Sequence, residues 1–153
     1  MKSLNITIRE ATKADNPEIL SLINNELGYP DLTLEELSMN ITKMREAGNL
    51  YIFVAVLSEQ IAGFIAVAQE MAMEIQKPFY RIKAMAVSNA YQGKGIGSSL
   101  LKHIENAASE NDIEFFVLSS SFHREEAHMF YERNGYSKTS FTFQKGKKRS
   151  IHN

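Results

Sequence analysis

Two short segments combine residue types and spacings that suit chemistry. The first runs Val87-Ser88-Asn89-Ala90-Tyr91-Gln92-Gly93-Lys94-Gly95-Ile96-Gly97-Ser98-Ser99-Leu100-Leu101 and reads as a strand end, a tight loop with glycine at alternate positions, and the opening of an amphipathic helix. Glycine takes up positive φ and lets backbone approach a ligand closely. The N–H groups of a first helical turn, backed by the positive end of the macrodipole, point at whatever sits there. A pyrophosphate is the natural occupant. The second segment is Ala127-His128-Met129-Phe130-Tyr131-Glu132-Arg133-Asn134-Gly135-Tyr136. Ala127, Phe130, Tyr131 and Asn134 fall at helical spacing, so one face packs, and Gly135 supplies a left-handed C-terminal stop.

Spacing narrows the ligand. A P-loop needs G-x-x-x-x-G-K-[ST], whereas here Gly93 directly precedes Lys94 and Gly95 follows it. A Rossmann fingerprint begun at Gly93 meets Ser98 where its last glycine belongs. Gln92, Gly95 and Gly97 instead fill the pattern Gln/Arg-x-x-Gly-x-Gly/Ala, which resembles the acetyl-CoA loop of the GCN5-related N-acetyltransferases (GNAT). The second segment resembles the A-x-x-F-Y-x-x-x-G-[FY] signature near the C-terminal end of the same family. The resemblance extends from the first strand at Ile6 to the vicinity of Phe143.

That resemblance implies an α/β (α+β) GNAT fold: a mixed, mostly antiparallel central sheet flanked by about four helices, splayed beside the acetyl-CoA loop. It implies acetyl-CoA as cosubstrate and no metal. Gln92, Gly93, Lys94, Gly95, Ile96, Gly97 and Ser98 would cradle the pyrophosphate, with Lys94 adding charge, and Met85, Ala86 and Val87 would pair with the pantetheine arm. Tyr131 is the implied general acid for the leaving thiolate. A phenol of ordinary pKa about 10 is protonated at neutral pH, and a thiolate of pKa about 8.5 is basic enough to draw its proton. The chain also departs from the family. Many relatives carry a glutamate base on the strand before the glycine loop, but Tyr80 to Val87 contains no carboxylate. Glu70, Glu74, His123 and His128 lie nearby, none in a position the family uses, and no base is assigned. His123-Arg124-Glu125 stands where relatives often carry an asparagine that touches the cofactor arm.

Of the elements that must position these groups, Asn5–Arg9 alternates as a first strand, and Asp15 with Glu18 forms a capping-box pattern ahead of Ile19, Leu22, Ile23 and Leu27. Thr33 and Glu36 repeat the box, with Leu34, Leu37, Ile41 and Met44 facing inward. Tyr51–Val56 and Ile61–Ala68 form a hairpin about Ser58-Glu59-Gln60, and Phe79–Val87 leads into the glycine loop. The helix from Ile96 to about Ser109 buries Ile96, Leu100, Leu101, Ile104 and Ala108. Phe115–Leu118, apolar on both faces, reads as a central strand. A final strand is expected around Thr139–Phe143. The acceptor site is expected between the two N-terminal helices and the splayed strands, with Tyr29, Arg81 and Lys83 as its candidate contacts. Arg81 and Lys83 would favour a carboxylate-bearing acceptor.

A chain of 153 residues fits one domain, expected over 1–145, with a polar basic tail at 146–153. Net charge of −1 gives no pull toward nucleic acid or acidic membranes, and zero cysteines exclude disulfides, thiolate metal sites and a cysteine nucleophile. No apolar run reaches membrane length and Met1–Glu10 lacks a signal-peptide core, which fits a cytoplasmic enzyme. The expected activity is acetyl transfer from acetyl-CoA to a primary amine of a small molecule, directly within a ternary complex. A protein N-terminus or lysine as acceptor, and a non-catalytic acyl-CoA-binding regulatory domain, are the alternatives. The resemblance also allows a homodimer through the C-terminal strand or the helix faces.

Overall fold

The computed structural model describes residues 5–146; the rest of the basic tail lies outside the described residues. One five-stranded sheet runs in the order β1 (Ile6–Glu10), β2 (Asn49–Leu57), β3 (Gln60–Glu70), β4 (Phe79–Val87) and β5 (Phe116–Val117). The first four strands pair antiparallel, and β5 joins β4 in parallel. Helices α1 (Asn16–Glu26) and α2 (Leu34–Ala47) cover one face; α3 (Ile96–Ala108) and α4 (Glu125–Arg133) cover the other. No helix among the described residues is long and apolar enough to cross a membrane.

β3 is the central strand, and alternation along it supplies two cores. Phe64 and Ala66 pack with Ile19, Leu22, Leu37, Ile52 and Val54 beneath α1 and α2. Ile65 and Val67 pack with Ile96, Leu100, Leu101 and Ile104 beneath α3. The five positions expected to bury on α3 are all buried. The β2–β3 hairpin turns at Ser58 (φ 51°) and Glu59 (φ 66°), two left-handed residues as a tight primed turn requires.

The two capping boxes fare differently. Thr33 accepts from the Glu36 amide at 3.1 Å while Glu36 Oε1 accepts from the Thr33 amide at 3.0 Å, so the second box forms. The Asp15–Glu18 box does not. Asp15 Oδ2 instead accepts from the Thr12 amide at 2.7 Å, and Arg9 grips both its oxygens at 2.7 and 2.9 Å. Glu18 Oε2 reaches out to the Ile61 amide at 3.2 Å. A guanidinium fork outcompetes a neutral amide for a carboxylate. Leu34, expected to face inward, is 42% exposed because it opens α2 beyond the reach of the sheet.

Two expectations about the C-terminal half are corrected. Phe116–Val117 is a half-buried edge strand rather than a central one. Thr139–Phe143 forms no strand. β5 offers only two paired residues, too short a template for a ladder, and just beyond it Ser119 Oγ lies 3.4 Å from Thr142 Oγ1. Phe141 and Phe143 are accordingly 75% and 92% exposed.

Candidate active site

The shortness of β5 shapes the site. β4 and β5 pair only at Tyr80↔Phe116 and Arg81↔Val117, near the start of β4. From there to Val87 no described strand pairs with β4 on the side away from β3, so Met85, Ala86 and Val87 lie on an open edge. The sheet is splayed there, as expected. An extended ligand can add to such an edge through backbone hydrogen bonds. Ser120, in the segment that leaves β5, has a buried hydroxyl oxygen with no hydrogen-bond partner among the described residues. A buried hydroxyl without a partner is costly, so this is a group a ligand can satisfy.

The chain leaves that edge directly into the glycine loop. The Ser88 amide donates to Ala62 O at 2.7 Å and the Asn89 amide to Glu26 Oε2 at 2.9 Å, which ties the loop to β3 and to the end of α1. Gln92, Gly93, Lys94 and Gly95 are exposed. Gly93 and Gly95 both sit at φ +79°, a left-handed conformation that disfavours any side chain, and open space surrounds both positions. Gly95 is the N-cap of α3 and offers no side-chain cap, and the first turn holds no acidic residue. The amides of Ile96, Gly97 and Ser98 therefore lack intrahelical acceptors, while the Ser99 amide is taken by Gly95 O at 3.0 Å. Ile96 contributes only its backbone here, because its side chain is buried in the core. The result is an uncapped helix N-terminus with open space at Gly93 and Gly95, a fit for a pyrophosphate.

Gly97 has a different reason to be glycine. A Cβ there would stand 2.9 Å from Phe130 Cζ, so the ring of the second motif seats on the bare backbone of the first. The end of α4 is then fixed by a Schellman cap: Tyr136 N donates to Tyr131 O at 3.0 Å and Gly135 N to Glu132 O at 3.1 Å, with Gly135 at φ +91°. The Tyr131 and Tyr136 rings pack 6.1 Å apart across that cap, and Tyr131 meets Phe130 at 5.4 Å. The motif spacing is thus the spacing of a helix stop that holds Tyr131. Burial pushes the Tyr131 phenol above its ordinary range, opposed by the positive charge of Arg124. Tyr136 donates to Glu105 Oε2 at 3.0 Å, and burial with that carboxylate raises its phenol strongly.

The three expected acceptor contacts are not brought to one place. Tyr29 is half-buried in the turn after α1, its carbonyl accepting from Asn24 Nδ2 at 2.7 Å. Arg81 is engaged, donating from Nε to Glu70 Oε1 at 3.1 Å with its guanidinium 5.7 Å from the Phe79 ring centre. Lys83 is exposed, carries no ion pair among the described residues, and lines a cavity of about 230 Å³ with Glu70, Gln69, Asn49, Leu50 and Met44. Tyr29 does not line it. His128 is committed to Ser121 O through Nε2 at 2.8 Å. Ser120 is a residue the sequence did not single out, and Glu70 is one it named without a role. Glu70 is joined to the cleft by cross-strand register, and Ser120 by the divergence of β5, neither of which is a local pattern. Among the described residues no group of three or more His, Asp or Glu is placed to hold a metal ion.

Residues 48–138 match the model of the acetyltransferase (GNAT) domain. The chain is 28% identical over 142 residues to an aminoalkylphosphonate N-acetyltransferase of Salmonella typhimurium, covering 90% of this chain and 89% of the relative. Its fold is similar to that of an aminoglycoside acetyltransferase from an uncultured soil metagenomic sample (TM-score 0.79, 21% identity, 94% of this chain and 97% of that one). It is similar too to glucosamine-6-phosphate N-acetyltransferase from Arabidopsis thaliana (TM-score 0.76, 20% identity, 93% and 98%). With a domain match across more than half of its length and the splayed, glycine-looped sheet just described, the chain belongs to the GNAT family of N-acetyltransferases.

Proposed function

We propose that the protein transfers the acetyl group of acetyl-CoA directly to a primary amine of a small molecule within a ternary complex. One observation carries this reading: an uncapped helix N-terminus and an open strand edge adjoin each other along residues 85–98. The first suits a pyrophosphate and the second an extended amide chain, which are the two ends of the CoA arm. The names of the aminoalkylphosphonate, aminoglycoside and glucosamine-6-phosphate relatives support a small-molecule acceptor. The chain contains no cysteine, consistent with direct attack.

When bound, acetyl-CoA supplies an activated acetyl group and a thiol leaving group. Met85, Ala86 and Val87 orient the arm through their backbone groups, and an amide of that edge polarises the carbonyl. Ser120 offers its buried hydroxyl to the arm. Gln92, Gly93, Lys94, Gly95, Ile96, Gly97 and Ser98 hold the pyrophosphate, with Lys94 adding charge. Tyr131 gives its proton to the departing sulfur. Its raised pKa keeps that proton in place through neutral pH.

Tyr131→Phe tests the assignment, because it keeps the ring contacts and removes only the proton. CoA release in the presence of an accepted amine should fall about 100-fold in kcat with acetyl-CoA binding unchanged. Unchanged kcat would show that Tyr131 only packs.

A further inference from the structure

Two tyrosines stand side by side at the end of α4, and their hydroxyls are used differently. The ring centres of Tyr131 and Tyr136 lie 6.1 Å apart, and Tyr131 also meets Phe130 at 5.4 Å. The Tyr136 hydroxyl donates to Glu105 Oε2 at 3.0 Å. The Tyr131 hydroxyl makes no hydrogen bond among the described residues. Of the pair, Tyr131 alone keeps its hydroxyl free for a ligand.

Glu105 lies on α3, about two turns beyond Gly97. Both aromatic neighbours of Tyr131 are thus tied to the helix that opens at the glycine loop: Phe130 seats on Gly97, and Tyr136 bonds to Glu105. The backbone adds a third tie, Tyr136 N to Tyr131 O at 3.0 Å. Packing at 136 needs only a ring, and the A-x-x-F-Y-x-x-x-G-[FY] signature admits Phe or Tyr there. The hydroxyl is therefore not required by the fold. Its partner is a half-buried carboxylate, and a phenol donating to a carboxylate makes a strong, directional bond. Burial and the charge of Glu105 push the Tyr136 phenol up strongly, so it keeps its proton as it donates. A satisfied, partly buried network of this kind holds its members rigid.

We propose that Glu105 and Tyr136 are positioning residues for the proton donor: their hydrogen bond fixes the Tyr136 ring, which fixes the neighbouring Tyr131 ring with its hydroxyl left free. The inference rests on the role given to Tyr131 above. In the step, Tyr131 gives its proton to the sulfur as the C–S bond breaks and the amine nitrogen bonds to the carbonyl carbon. The proton lost by nitrogen goes to solvent, which returns one to the Tyr131 phenolate. Glu105 and Tyr136 exchange no proton; they hold the ring from which the proton leaves.

The chain has no cysteine, so a thiol reagent reads released CoA alone. Turnover is measured with 2-aminoethylphosphonate, glucosamine 6-phosphate and kanamycin, alongside the thermal shift given by acetyl-CoA. Tyr136→Phe keeps the ring and removes the bond; kcat should fall about tenfold or more, with KM for acetyl-CoA and the shift retained. Glu105→Ala should lose as much, and the double variant no more than either. Glu105→Gln keeps an accepting oxygen and should recover most of that loss. In a Tyr131→Phe background the same changes should have no further effect on kcat, because no proton is left to place. Unchanged kcat in Tyr136→Phe, or an equal fold loss in both backgrounds, would overturn the inference. Unchanged kcat in Tyr131→Phe would instead overturn the acid assignment beneath it. A second arm needs no acceptor. In protein labelled with 13C at tyrosine Cζ, the Tyr131 signal, identified by its absence in Tyr131→Phe, should move or broaden in Glu105→Ala and return in Glu105→Gln. A signal unmoved by Glu105→Ala would overturn the positioning. Turnover of none of the amines by wild type would count against the small-molecule reading and leave this arm to decide.

Discussion

Asp15 stands at the N-cap of α1, yet its oxygens serve Arg9 and the Thr12 amide. The Arg9 hydrogen bonds outweigh burial and bring the Asp15 carboxyl down to about 2. A folded-state pKa below the unfolded one contributes stability that is full above the ordinary carboxylate range and lost as pH falls through about 2. Asp15→Asn should therefore cost on the order of 2 kcal/mol at pH 7, and its gap to wild type should narrow as urea denaturation is repeated from pH 4 downward. A gap constant with pH would mean the ion pair contributes nothing. The presence of a carboxylate at this position is visible in the sequence, but its partner is not. Arg9 reaches it across the turn between β1 and α1, and Glu70 and Arg81 meet by cross-strand register.

At the scale of elements, α3 and α4 carry the two motifs, and one contact joins them. Phe130 lies against Gly97, so the glycine loop and the helix bearing Tyr131 are set relative to each other by a missing methyl group. Gly97→Ala should destabilise the fold by about 1–3 kcal/mol through overpacking. Combining it with Phe130→Leu should recover part of the loss, a non-additivity read from urea midpoints. Additive losses would show that the two residues do not bear on each other. Helices were the legible elements: the stripe Ile96, Leu100, Leu101, Ile104 and Ala108 is a local pattern, and so is the glycine stop after Tyr131. β5 and the segment Thr139–Phe143 were less so. An apolar run announces burial but not how many partners it will find, and here β5 found a single neighbour over two residues.

For the whole molecule, the sheet separates the two motif-bearing helices from the two N-terminal ones. α3 and α4 bring the glycine loop and Tyr131 to one face, the end of α2 borders the Lys83 cavity on the other, and β4 keeps an open edge at Met85–Val87. The short pairing of β5, which defeated the expectation of a central strand, is what leaves that edge free. The measurement that bears most directly on this arrangement is the thermal midpoint of the purified protein with excess acetyl-CoA, with ATP and NADH as controls. A ligand that binds only the native state at a hundredfold excess over Kd adds about 2.7 kcal/mol, which for a domain of this size is roughly 5–10 °C. The account predicts a rise of that order specific to acetyl-CoA and lost in Gly95→Val, where a branched side chain would stand in the left-handed N-cap. No rise, or an equal rise with ATP and NADH, would contradict it.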